Sequence, residues 1–332
     1  MEIVKVDPQD DEALADWHAA FGSGRAAGRE HPANWTLPEL AVALRKPGAY
    51  RLGAYAAVEQ GRTTGGALAL LPVRDNLRLL EFEIAVPPAQ RRHGVGSALY
   101  QGILDLARAE GRSSLLTPIV EAYRGKGPTE GAPFAEKRGF TCRNRELHSV
   151  LDLPVDPGRL ESMARDAAPF HADYQLRTWV GSCPDELVGG YVKLLSQFMA
   201  EVPLGDLDYE PHRWDVERLR AEEQKRVDQA RTGYITVAIG AGDELVGHTE
   251  LLVAGHDPGQ AYQNDTLVLP SHRGHRLGVA MKAANLKAMT LAHPDRHRVH
   301  TFNAEQNAPM MAVNRAMGFR AVERMGEYQR EV

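Results

Sequence analysis

From Leu77 to Val86 apolar and acidic positions interleave: Leu79, Leu80, Phe82, Ile84 and Val86 are apolar, and Glu81 and Glu83 stand between them. Successive residues of a strand face opposite sides, so this is the pattern of a half-buried strand. From Val95 the apolar positions change period, to Val95, Ala98, Leu99, Ile103 and Leu106, which form one face of a helix. A turn containing Gly94 and Gly96 joins the two. Two more strands lead in, Tyr50 to Val58 and Gly65 to Val73, with turns at Gln60-Gly61-Arg62 and Arg74-Asp75-Asn76. That order predicts an antiparallel meander. Further upstream, Ile3 to Val6 reads as an opening strand and Asp10 to Arg29 as a helix with Leu14, Trp17 and Phe21 inward. Thr36 and Glu39 have capping-box spacing for a second helix over Leu37 to Leu44. Downstream come a strand, Ser113 to Val120, and a short helix, Ala132 to Arg138, closed by Gly139-Phe140.

After a connector with its own helix, Arg159 to Ala167, the same order returns. It comprises a strand Tyr174 to Val180, helices Pro184 to Glu201 and Asp215 to Ala230, and strands Gly233 to Ile239, Leu245 to Val253 and Tyr262 to Leu269. A helix Arg276 to Leu291, a strand Arg298 to Asn303, a short helix Asn307 to Met317 with Gly318-Phe319, and a closing strand Val322 to Tyr328 complete it. Val86 to Leu104 aligns without a gap on Val268 to Leu286, with 7 identical positions at an offset of 182 residues. A period of that size is a duplicated domain, not a solenoid repeat. The expected fold is α+β: an α/β/α sandwich around a mixed, mostly antiparallel sheet, present twice. The expected boundaries are 1–153 for the first domain, 154–170 for the connector and 171–332 for the second domain.

The turns carry the candidate chemistry. Glycines and a helix start present backbone N–H groups and the positive end of a helix dipole to an anion. Val86-x-Pro88-x-x-Arg91-x-x-Gly94-x-Gly96 and its copy Val268 to Gly278 resemble the acyl-CoA pyrophosphate loop of the GNAT N-acetyltransferase superfamily. His272 to Gly278 with Asn303 to Phe319 is similar to tandem members of actinobacterial type, distantly like mycothiol synthase. The resemblance implies acetyl-CoA as cofactor. It assigns Val86, Arg91, Arg92, His93, Gly94, Val95, Gly96 and Ser97 to cofactor binding in the first half. In the second half it assigns Leu267, Val268, Arg273, Gly274, His275, Arg276, Leu277, Gly278 and Val279, with Asn303, Asn307, Met310 and Asn314. Arg276 stands where the family's first loop glycine is usual; it is compatible with binding at negative φ, and its side chain could contact a cofactor phosphate. The resemblance also implies a bulge in the strand before the loop, with backbone N–H available to the thioester carbonyl.

Amine acetylation needs a proton acceptor and can need a proton donor. The repeats align Glu83 with Asp265 and Glu81 with Gln263, so Glu83 and Asp265 are the candidate bases, with Glu250 weaker; His248, His272 and His275 also sit close to these segments. The tyrosine that often serves the family as acid is replaced by Ala135 and Asn314, which leaves Tyr328 or Tyr123. The acidic run Val202 to Trp214 falls between the first two helices of the second half, where the family places its acceptor, and there it could bind a cationic amine.

Composition narrows the function little. A net charge of −5 gives no reason to expect nucleic acid. Cys142 and Cys183, the two cysteines, make neither a disulfide framework nor a zinc pattern. No signal peptide or apolar run of membrane length is visible, so the expected location is cytoplasmic, as a monomer or homodimer without metal. The expected activity is acetyl transfer from acetyl-CoA to the amine of a small molecule, in a ternary complex. The sequence leans towards a catalytic second half and a first half that still binds cofactor. The alternatives are an acyl-CoA-binding module without catalysis and a protein lysine acetyltransferase.

Overall fold

The computed structural model describes residues 1–201 and 203–332, without the side chains of 157, 199 and 200. Val202, the first residue of the expected acidic run, lies outside the described residues. The chain forms two compact units, one of Met1–Glu146, Leu204–Glu210 and Val322–Val332, the other of Leu147–Pro203 and Pro211–Ala321.

The chain begins with β1 (Glu2–Lys5), α1 (Asp11–Ala26) and α2 (Leu37–Arg45). Asp10 caps α1 by accepting from the N–H groups of Glu12 and Ala13, and the Thr36/Glu39 capping box starts α2 as its spacing predicts. The meander β2 (Tyr50–Glu59), β3 (Arg62–Pro72) and β4 (Leu79–Ala85) follows, then α3 (Val95–Ala109), β5 (Ser114–Glu121), α4 (Gly131–Glu136) and β6 (Thr141–Asp152). The first sheet runs β1-β2-β3-β4-β5, then the C-terminal strand β12 (Arg320–Glu331), then the part of β6 up to Glu146. Leu14, Trp17, Phe21 and Leu40 cover one face against Ala54, Leu68 and Ala85. Leu99, Ile103 and Phe140 cover the other against Leu80, Phe82 and Leu115.

The second unit carries the rest of β6, α5 (Pro157–Ala167), β7 (Gln175–Val180), α6 (Asp185–Glu201), α7 (Val216–Asp228), β8 (Arg231–Ile239) and β9 (Leu245–Ala254). β10 (Gln260–Val268), α8 (Leu277–Ala292), β11 (Arg298–Ala304) and α9 (Ala308–Met317) complete it. Its sheet order is β6-β11-β10-β9-β8-β7. Tyr191, Leu194 and Leu219 of α6 and α7 cover one face, and Leu286, Met289 and Met317 of α8 and α9 cover the other. The fold is the expected α/β/α sandwich, present twice.

Two segments lie elsewhere than expected. The closing strand, anticipated at the end of the second half, pairs antiparallel with β5 over Arg324↔Glu121 to Glu331↔Ser114, in the first unit. Its buried Tyr328 packs in that unit's core, and Glu323 forms an ion pair with Arg29 of α1 at 2.7 Å. The acidic run is divided: Leu204–Glu210 belongs to the first unit, whereas Pro203 and the residues from Pro211 to Trp214 belong to the second. Hydrogen bonds hold Leu204–Glu210 in the first unit: Asp206 N–H donates to Arg143 O at 2.9 Å, Asp208 N–H to Gln329 Oε1 at 2.9 Å, and Glu210 N–H to Asn76 Oδ1 at 2.6 Å.

Candidate functional site

Each sheet parts at one place. β4 and β5 pair in parallel from Leu79↔Ser114 to Glu81↔Leu116 and then separate, although both strands continue. β10 and β11 pair from Gln260↔Arg298 to Gln263↔Thr301 and separate in the same way. Beyond each parting a loop reaches a helix start. Arg91 Nε donates to Val86 O at 3.1 Å, and Arg273 Nε to Val268 O at 3.2 Å, so the two loops are closed by the same bond. Gly94 at φ 86 and Arg276 at φ 51 are the left-handed caps of α3 and α8. The first N–H groups of both helices lack intrahelical acceptors, which suits an anion. A Cβ on Gly94 or on Gly274 would meet no atom within 4 Å. Both loops therefore fit the diphosphate of a nucleotide-bearing thioester.

The loop side chains are engaged differently. In the first, Arg92 and His93 are exposed, Arg91 lies 3.6 Å from Glu130, and Ser97 accepts from Arg138 at 2.8 Å. Val95 is a core residue, so that only its backbone faces the loop, and Val86 and Gly96 are half-buried. In the second, Arg273 pairs with Glu201 at 2.5 Å and His275 meets Phe170 O at 3.0 Å. Leu267 and Leu277 are core residues, and Val268, Gly278 and Val279 are half-buried. Arg276 departs from expectation twice. Its φ is positive, because the helix start needs a left-handed cap; its side chain donates to Asp166 O at 2.9 Å and lies over the Phe170 ring, 3.9 Å from its centre. Near α9, Asn314 Nδ2 donates to Asn303 Oδ1 at 2.6 Å and Asn307 caps α9 by accepting from Met310 N–H. Met310 is half-buried.

The candidate bases separate sharply. Glu83 keeps register with Leu68 of β3 and binds Arg25 of α1 at 2.8 Å. A Cβ on Gly24 would lie 2.6 Å from Val86 N, so α1 lies directly on the backbone at the end of β4. Glu81, half-buried beside it, accepts from Tyr50 Oη at 3.3 Å, and Tyr50 Oη is 2.8 Å from Tyr209 Oη. Burial lifts the Glu81 carboxyl to about 7, with Glu327 adding to the rise and the tyrosines opposing it. Tyr209, which is not among the expected site residues, reaches this site from the acidic run, 159 residues along the chain from Tyr50.

In the second unit the strand is bulged. Between Gln263↔Leu251 and Thr266↔Thr249, the residues Asn264 and Asp265 face the single residue Glu250, and this is the bulge that the family resemblance implies. Gln263, the counterpart of Glu81, is buried and donates to Glu250 O at 2.7 Å, a structural role. Asp265 has no hydrogen bond or ion pair among the described residues. It lines a cavity of about 40 Å³ with Trp179, Tyr191, Trp214, Arg226 and His248. Surrounding protein lifts the Asp265 carboxyl to about 7, with Glu250 adding and Arg226 opposing. Asp265 is nevertheless an exposed residue, so solvent also reaches it. Glu250, the weaker candidate, is taken by Arg226 at 2.6 Å. His248 is 1% exposed, and burial pushes its imidazole down to about 4.

Tyr328 lies in the first unit, whereas Asp265 belongs to the second; Tyr328 donates to Glu121 Oε1 at 2.6 Å. Burial foremost, and then that bond, raise its pKa, which disfavours proton release. Tyr123 pairs with Lys126 in a bridge of the first unit. Among the described residues no group of three or more potential metal ligands occurs, and no helix is long and apolar enough to cross a membrane.

Residues 13–127 match the profile of the acetyltransferase (GNAT) family. No curated protein matches the chain. Among solved structures, a tandem GNAT protein from the clavulanic acid biosynthesis pathway is 28% identical, with a TM-score of 0.79 over 99% of this chain and 98% of that one. A GCN5-related N-acetyltransferase from Sphaerobacter thermophilus shares the fold at 14% identity and a TM-score of 0.67, over 99% of this chain and 95% of that one.

Proposed function

We propose that the chain is a GNAT-family acetyltransferase with the fold in tandem, which transfers an acetyl group from acetyl-CoA to a small-molecule amine at the parted strands of the second unit. The observation that carries this reading is Asp265: an unpaired carboxylate in the β10 bulge, at the place where β10 leaves β11. Bound there, acetyl-CoA supplies an activated thioester. The backbone N–H groups at the start of α8 would hold its diphosphate, and a β10 N–H left out of the ladder by the bulge would be free to face developing negative charge. Asp265 takes the proton that the acceptor ammonium must lose before its nitrogen can attack. A carboxyl lifted towards neutrality suits that task, since it is a stronger base than an ordinary aspartate.

The first unit has the same loop but a less open acyl end. There α1 lies on the Ala85–Val86 backbone and Arg25 occupies Glu83. These observations support cofactor binding without transfer in that unit. Calorimetry with acetyl-CoA, followed by thiol release with a panel of primary amines, tests the proposal. Saturable binding and amine-dependent release are expected, with Asp265→Asn lowering kcat by about a hundredfold or more. Release that Asp265→Asn leaves intact would remove the second unit from the reaction.

A further inference from the structure

We propose that the cavity beneath Asp265 is a receptor for one unmethylated primary ammonium group, seated between the Asp265 carboxylate and the His248 ring, with His248 setting the selectivity. The inference rests on the reading above for its role in acetyl transfer, but the binding itself needs no cofactor. His248 is the first ground. It is 1% exposed, lines the cavity, and has no hydrogen-bond partner at either ring nitrogen among the described residues. Buried polar atoms left in that state are uncommon and costly, so the ring is open to a hydrogen-bonding guest. In the aligned repeat the same position is Gly66, where a Cβ would lie 2.7 Å from Trp17 Nε1. The imidazole is therefore particular to the second unit.

Charge is the second ground. Three carboxylates line the cavity, and two are satisfied: Glu250 by Arg226 at 2.6 Å, and Glu223 by Arg220 at 2.7 Å and by Cys183 N–H at 2.7 Å. Asp265 has no ion pair among the described residues, because Arg226, which lines the same cavity and acts on it through space, is bonded to Glu250; one of the three carboxylates is thus left without a contact partner. The third ground is the wall. Trp179, Tyr191 and Trp214 present aromatic rings, which attract a cation at their faces and keep bulk water away. The fourth is hydrogen bonding: –NH3⁺ brings N–H donors for His248 and Asp265, both of which line the cavity, whereas a trimethylated head brings none. A neutral imidazole offers one lone pair, so the ammonium meets two acceptors, His248 and Asp265, and its alkyl stem leaves past the exposed Asp265.

The test uses the full chain without acetyl-CoA. Tryptophan fluorescence, to which Trp179 and Trp214 contribute, is titrated with n-butylammonium, n-butyltrimethylammonium and n-butanol. The expected result is one saturable site for n-butylammonium, at least tenfold tighter than for the other two probes. Asp265→Asn and His248→Leu should each weaken it tenfold or more, while thermal unfolding confirms that both variants fold. Equal response to butanol, or unchanged affinity in a folded Asp265→Asn or His248→Leu chain, overturns the proposal. If butylammonium binds as described but no amine is acetylated, the transferase reading fails and this one stands. If amines are acetylated while binding ignores His248, the reverse holds.

Discussion

Asp265 and Glu83 hold equivalent places in the two repeats, and their surroundings give them different chemistry. Glu83 is engaged by Arg25, whereas Asp265 is unpaired, and protein around it lifts its carboxyl to about 7. Acetyl transfer should therefore rise with pH as Asp265 loses its proton, levelling above about 7, in a kcat/KM profile that Asp265→Asn flattens. Lys282 on α8 shows the opposite sign. It is 1% exposed, its Nζ lies 5.5 Å from the centre of the Phe319 ring, and burial pushes its ammonium down to about 7. Between about 7 and its ordinary value the unfolded chain holds a proton that the folded chain has released. Stability therefore rises with pH across that window, and below it the folded chain bears the whole penalty. Lys282→Met should stabilise the protein at neutral pH by on the order of 1–4 kcal/mol and remove that pH dependence, as read by thermal unfolding from pH 6 to 10.

The two helix starts differ by one residue, Gly94 in α3 and Arg276 in α8, both left-handed. Glycine adopts that conformation freely, while a side chain there costs about 1–2 kcal/mol. Gly94→Ala should thus lower stability by about 1 kcal/mol, although its Cβ meets no atom within 4 Å. Arg276→Gly relieves the strain but loses the bond to Asp166 O and the Phe170 contact, so its net change is the smaller of the two. Chemical denaturation of both variants checks the contrast. At this scale much was legible. Periodicity located the strands and helices within a few residues, and the repeated loop located both helix starts. The sign of φ at Arg276 was not legible, because the glycine pattern breaks there. The bulge at Asn264-Asp265 could be expected from the resemblance alone, since a two-against-one count exists only between paired strands. His248 and Glu250 alternate on β9 and could be noticed, but Arg226 and the tryptophans converge on them only in three dimensions.

Local pattern carries still less information about which sheet a strand joins. Residues 320–331 alternate like any closing strand, and nothing in that alternation distinguishes an edge in the first sheet from one in the second. The outcome is decided by packing specific to the first unit. Tyr328, 1% exposed, fills the core beside Phe82 and Phe140; Glu323 meets Arg29 with both side chains 6% exposed; and Gln329 Nε2 donates to Ser114 Oγ at 3.1 Å. A fragment of residues 1–153 therefore lacks a central strand of its own sheet. It leaves β5 with an open edge, Arg29 buried without its partner carboxylate, and a hole where an aromatic ring belongs. Loss of a large core side chain costs about 3–5 kcal/mol and loss of one member of a buried ion pair about as much, which together reach the usual stability of a domain. The fragment should show no cooperative unfolding and no slow amide exchange at Leu115 to Ile119. Adding a peptide of residues 320–332 should restore both, more weakly when Tyr328 is replaced by alanine. A 1–153 fragment that unfolds cooperatively by itself, with protected β5 amides, would show that the strand decorates the first unit and does not build it.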